Sequence, residues 1–271
     1  ADLGVSGLVS PSATICSSTS QQIQVTVKNY GTSSINFAFN NLQVSAQVTD
    51  PFSIIQNLTS IINSGSLGAG ATMTVTLSGN FNMASAGNYS IAANTVFSGD
   101  TIPANNSMSP VTVTVYPNIS ASISAGGPTS LCPGNSVLLS ANLSSGVTYQ
   151  WKKNNDIIPG ANSSRYTTSE SGIYTIEVID LSGCTGINSV EVRAYLPPSI
   201  VLQKKNIICP DSSVLLPITS KDSLISYRWI PTLGLSSDKV RSPRAKPPVN
   251  TMYTVIVTDT NGCTTDRKSV V

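Results

Sequence analysis

The 271-residue sequence contains no histidine. That absence excludes Ser-His-Asp and Cys-His nucleophilic catalysis, zinc hydrolases built on paired histidines, and every imidazole-ligated metal site. Charge is scarce too: 10% of the residues are Asp, Glu, Lys or Arg, against roughly 25% in an average soluble protein. Aromatic residues make up 6%, too few to interleave with a basic groove in the manner of a nucleic-acid binder, so no nucleic-acid partner is expected. No run of about 18 apolar residues occurs, and the chain opens on Ala1-Asp-Leu-Gly4 rather than on a basic segment. Neither membrane insertion nor a signal peptide is therefore read from it.

What is present is alternation. Gln22-Ile-Gln-Val-Thr-Val-Lys28, Thr72-Met-Thr-Val-Thr-Leu77 and Val111-Thr-Val-Thr-Val115 place apolar residues at every second position, the signature of half-buried strands. Helical periodicity is nearly missing, and Asn-Gly, Ser-Gly and proline clusters punctuate the runs. The chain reads as all-β, built of antiparallel sandwiches. Proline-stiffened breaks at Val115-Tyr-Pro-Asn118 and Ala194-Tyr-Leu-Pro-Pro198 divide it into domains 1–116, 117–197 and 198–271. Their net charges are −2, −1 and +5, so the overall +2 is a property of the third domain. There Lys239-Val-Arg-Ser-Pro-Arg-Ala-Lys246 holds four cations in eight residues, which reads as a solvated loop more readily than as an anion-binding face.

The second and third domains are repeats of one unit. Cys132-Pro-Gly-Asn-Ser-Val-Leu-Leu139 aligns with Cys209-Pro-Asp-Ser-Ser-Val-Leu-Leu216. Trp151 follows its cysteine by 19 residues and Trp229 by 20, and the Tyr174–Cys184 and Tyr253–Cys263 spacings are both 10. Ser169-Glu-Ser-Gly-Ile-Tyr174 has the form of an immunoglobulin tyrosine corner, which places Trp151 on strand C between the sheets. Trp151, Tyr174, Trp229 and Tyr253 are the expected core. Leu139 with Ile176, and Leu216 with Val255, stand where antibody domains carry their core disulfide.

With this C-P-G…W…Y-T-V…D-x-N-G-C-T pattern, residues 117–271 resemble the tandem Ig-like or PKD-like modules of secreted Bacteroidota surface proteins. Val25-Thr-Val-Lys-Asn-Tyr-Gly31 with Leu67-Gly-Ala-Gly-Ala-Thr-Met-Thr-Val75 is similar to CARDB-type sandwiches. The resemblance implies an extracellular, cell-surface setting and export as type IX secretion cargo. Such modules occur in gliding adhesins and beside the catalytic domains of secreted hydrolases.

Five cysteines leave one over if they pair internally. In an Ig-like sandwich strands B and F run the same way, so Cys132, before B, and Cys184, in the F–G turn, fall at opposite poles. Strand B, expected from Ser136 to Leu143, is roughly 25 Å long, whereas a disulfide tolerates a Cα separation of about 7 Å. Domains strung end to end in a rod would instead pair Cys16 with Cys184 and Cys132 with Cys263, leaving Cys209 for a following domain and making the stop inside the last strand a sign of truncation. The alternative is Cys132–Cys184 and Cys209–Cys263 with Cys16 free.

Other sites are sparse. Asp100-Thr-Ile102 and Asp222-Ser-Leu224 match the Asp-Ser/Thr-apolar pattern of Bacteroidota O-glycosylation, which the resemblance makes relevant to Thr101 and Ser223. Six N-x-S/T sequons read as accidental. Asp180 and Asp259 read as turn caps rather than calcium ligands. No cofactor, catalytic residue or metal-ligand set is expected. The sequence thus describes a non-catalytic stalk of a surface adhesin, partnered by neighbouring domains of its own chain and by the type IX machinery, with surface polysaccharide as a candidate ligand. The alternative is a spacer or polysaccharide-binding accessory of a secreted hydrolase.

Overall fold

The computed structural model describes residues 1–142 and 144–271. Among them the chain is all-β, with a single short 3-10 turn at Pro103–Asn105, and no helix is long and apolar enough to cross a membrane. It forms two compact units, Ala1–Ser120 with Val178–Gly186, and Ala121–Glu177 with Ile187–Val271.

The first unit encloses its core between a three-stranded sheet, in the order Leu3–Ser10, Gln24–Asn29, Thr72–Thr76, and a five-stranded sheet, in the order Thr14–Cys16, Val111–Tyr116, Gly87–Phe97, Leu42–Thr49, Ile55–Ile62. Alternation dictates which face is buried. On Leu42–Thr49 the side chains of Leu42, Val44, Ala46 and Val48 point inward, and Gly87–Phe97 contributes Tyr89, Ile91 and Ala93 to the same core. The outward positions run across three strands in matched rows: Thr59–Ser45–Asn94, Asn57–Gln47–Ala92 and Ile55–Thr49–Ser90. None of these residues carries a charge.

The second unit, with Val178–Gly186 continuing two of its strands, carries two sets of sheets. One pairs the sheet Ile123–Ala125, Val137–Ala141, Arg165–Thr168 with the sheet Ser130–Leu131, Thr185–Ala194, Gly172–Asp180, Val147–Lys153, Asp156–Ile157. The expected strand Ser136–Leu143 is observed as Val137–Ala141, and Leu143 lies outside the described residues. The other set combines Leu224–Ile230, Met252–Asp259 and Thr264–Val270 with the short ribbon Val214–Leu215/Arg244–Ala245. It has its own core around Trp229, Tyr253, Leu216 and Val255.

Among the described residues, pairing is antiparallel with one recurring exception. The segment just before each of Cys16, Cys132 and Cys209 runs parallel to a last strand: Thr14–Cys16 beside Val111–Tyr116, Ser130–Leu131 beside Arg193 and Ala194, and Lys205 beside Val270. A segment parallel to the last strand delivers the cysteine to the end where that strand leaves its sheet. This recurrence fixes the polarity of all three cysteines.

Candidate functional site

The cysteines define the site. Cys16 is bonded to Cys184 with a Cα separation of 5.5 Å, and Cys132 to Cys263 with one of 5.2 Å, both inside the usual range of about 4.4–6.8 Å. Cys184 and Cys263 are fully buried, whereas Cys209 is a free, exposed thiol.

Both buried cysteines close the same four-residue turn. Asp180 Oδ1 accepts the backbone N–H groups of Ser182 and Cys184, each at 2.9 Å. Asp259 Oδ1 does the same for Asn261 and Cys263 at 2.9 Å. Gly183 and Gly262 adopt positive φ of 82° and 83°, a conformation glycine enters without steric cost, and their N–H groups return to the Asp180 and Asp259 carbonyls at 3.1 Å. The Asp-x-x-Gly-Cys sequence is thus a self-capped hairpin tip that presents its cysteine in one orientation.

The opposing cysteines also share a local geometry. Asn135 N–H donates to the Cys132 carbonyl at 3.0 Å, and Ser212 N–H to that of Cys209 at 3.1 Å. Gly134 (φ 82°) and Asp211 (φ 67°) occupy the same left-handed position. Cys209 therefore sits in the turn that Cys132 uses when bonded. Beside it lies a groove of about 630 Å³ lined by residues that include Ile207, Asp211, Lys246 and Val249.

Trp151 and Trp229 are fully buried and bonded alike. Trp151 N–H donates to Ala161 O and its indole N–H to Ser163 O at 2.9 Å; Trp229 N–H donates to Asp238 O and its indole to Val240 O at 3.0 Å. Each tryptophan fills a core and holds the returning loop. Tyr174 donates to the Glu170 carbonyl at 3.2 Å, the upstream bond of a tyrosine corner. Tyr253, also buried, reaches instead to the Leu233 carbonyl at 2.6 Å, 20 residues upstream, and burial raises its phenol pKa.

A further corner escapes the sequence reading. Tyr89 is 1% exposed and donates to the Ser85 carbonyl at 3.0 Å, repeating the Tyr174–Glu170 relation in the first unit. Burial, with the Asp50 carboxylate as a lesser cause, raises its pKa. The signal was present, since Gly87-Asn-Tyr89 has the spacing of Gly172-Ile-Tyr174.

Thr101 and Ser223 are both exposed. Thr101 N–H donates to the Ala1 carbonyl at 3.3 Å, and the Ser223 carbonyl accepts from Thr260 N–H at 3.3 Å. The 239–246 cations are partly structural: Arg241 Nε donates to the Ile218 carbonyl at 3.0 Å, and Lys246 pairs with Asp211 at 3.4 Å.

No family model and no curated protein matches the chain. Among solved structures it is similar to a three-immunoglobulin-domain fragment of titin, at 11% identity over 99% of this chain and 96% of that one, with a TM-score of 0.35. A 1.5-MDa bacterial ice-binding adhesin is similar at 12% identity over 99% and 95%, with a TM-score of 0.32. The fibronectin(III)-like modules of Clostridium thermocellum CbhA are similar at 12% identity over 72% and 94%, with a TM-score of 0.34. At these scores the likeness carries no functional argument.

Proposed function

We propose that the chain is a non-catalytic, load-bearing segment of a large extracellular surface adhesin. It comprises a CARDB-like module (1–116) and two Ig-like/PKD-like modules (117–197 and 198–271). The two disulfides, Cys16–Cys184 and Cys132–Cys263, carry this reading: with the chain divided in this way, each joins a cysteine before strand B of one module to the F–G turn of the module that follows. Bonds placed this way stop successive modules from parting under tension. They also belong to an oxidising, extracellular setting. The outward rows of the five-stranded sheet of the first unit carry no charge, which suits an exposed stalk, although Ile55, Ile61 and Val96 stand exposed on the same face. In this reading Cys209 bonds the F–G turn of a following module, and the chain leaves its cell by type IX secretion.

The test is attachment under flow. An adhesin carrying Cys16→Ser and Cys132→Ser is expected to reach the cell surface and to hold cells at rest, yet to release them at several-fold lower shear than the unaltered protein. Equal retention of both strains across the shear range would overturn a load-bearing role.

A further inference from the structure

The densest run of cations in the sequence, 239–246, is partly tied down, since the Ile218 carbonyl engages Arg241 and Asp211 engages Lys246. A second cluster is made only by folding. The segment 204–206 runs parallel to the end of the last strand, Thr264–Val270: Val270 N–H donates to the Lys204 carbonyl at 2.9 Å, and Asn206 N–H to the Val270 carbonyl at 2.8 Å. Lys204 and Lys205 are thereby set beside Arg267 and Lys268, more than 60 residues away in sequence. Lys204, Arg267 and Lys268 line one groove of about 520 Å³, and Lys205 lines the adjoining groove beside Cys209. All four cations are exposed, and no ion pair among the described residues includes any of them.

Such a cluster stands out in this chain. Charged residues make up only 10% of it, yet four of its 15 Lys and Arg side chains meet at the end of one strand. The neighbouring acids do not cancel their field. Of the five acidic residues in 198–271, Asp211 pairs with Lys246, Asp222 Oδ2 accepts Ser199 N–H at 2.6 Å, and Asp259 caps its own turn. Asp266 is the one acid lining the groove, so three cations face a single carboxylate and the groove is positive. Arg267 Nη1 donates to the Asp266 carbonyl at 2.7 Å and, more weakly, to Thr265 Oγ1 at 3.4 Å, which leaves the remaining donors of the guanidinium for a ligand.

We propose that this groove binds an acidic polysaccharide, whose carboxylates meet Lys204, Arg267 and Lys268 while its sugar rings lie against Val201 and Val270. A guanidinium fork matches a planar carboxylate, and the two ammonium groups add charge without fixing its orientation. Val201 and Val270 are 67% and 37% exposed, and they offer a shallow apolar floor to the C–H faces of a sugar. No aromatic side chain lines the groove, so nucleic-acid bases find nothing on which to stack. Its larger apolar residues, Ile200 and Leu202, are buried, so they present no apolar face to a lipid surface. This contact is independent of the load-bearing role, because it makes no demand on either disulfide.

Calorimetric titration of polygalacturonate into the oxidised chain tests the assignment. Saturable binding with a Kd at or below about 1 mM is expected at an ionic strength of about 0.05 M, weakening several-fold at about 0.5 M as the charges are screened. Dextran, a neutral polysaccharide, should not bind. The triple variant Lys204→Gln, Arg267→Gln, Lys268→Gln should bind at least tenfold more weakly. Lys221→Gln with Lys239→Gln removes charge elsewhere on the same module, Lys221 lining a different groove with Asp222 and Asp259, and should change affinity less than twofold. Circular dichroism of each variant checks that it is folded. Absence of binding by the unaltered chain would overturn the site, as would equal affinity in the folded triple variant or an equal loss in the Lys221/Lys239 pair. Tighter binding of duplex DNA or of phosphatidylglycerol vesicles than of polygalacturonate would overturn the choice of ligand.

Discussion

Pulled from its two ends, the oxidised chain is expected to extend to only about 250–270 Å, and the reduced chain to about 900–970 Å. The shortest covalent path runs from residue 1 to 16, crosses to 184, returns to 132, crosses to 263 and leaves at 271, about 75 residues in all; an extended chain spans about 3.3–3.6 Å per residue. The bonds close loops with sequence separations of 168 and 131 residues. In the chain-entropy model each removes about 5 kcal/mol of unfolded-state freedom. The two contributions are not additive, because the loops overlap between residues 132 and 184. Reduction should therefore lower the unfolding midpoint in urea as well as lengthen the chain. Force spectroscopy with and without reductant reads the first effect, and equal contour lengths would contradict it.

Truncating a core tryptophan should produce the next largest loss. Trp229→Ala is expected to cost about 3–5 kcal/mol, the usual penalty for emptying a buried aromatic site. Loss of the indole donor adds to this by leaving the Val240 carbonyl without its partner. Trp151→Ala should behave alike, and its effect should spread to Tyr166 and Tyr174, whose rings follow Trp151 in sequence at centroid distances of 6.0 and 5.7 Å. Because the chain has only two tryptophans, each variant leaves one fluorophore to report urea unfolding. A loss below about 1 kcal/mol for either would show that its core is not organised around the ring.

Strands were legible where one face is buried, because a period of two has one solution there; Gln22–Lys28, observed as the strand Gln24–Asn29 with every second residue buried, shows this. The repeat was legible too, and it carries through to matched hydrogen bonds at Trp151 and Trp229 and at Asp180 and Asp259. The third core departs from its partner where proline intervenes. Cys209–Leu216 aligns with Cys132–Leu139, yet the strand there is only Val214–Leu215, for Pro217 brings no backbone donor to the ladder. Side chains take over, with Ser242 Oγ accepting Ile218 N–H and Arg241 donating to the Ile218 carbonyl. That role for Arg241 is invisible in a count of cations.

The most direct test of the covalent junctions is a non-reducing peptide map by mass spectrometry of the segment purified from an oxidising compartment. Peptides joining Cys16 to Cys184 and Cys132 to Cys263, with Cys209 alkylated as a free thiol, are the expected result. Peptides joining Cys132 to Cys184 or Cys209 to Cys263 would contradict it, leaving each module closed on itself and the junctions free to separate under load.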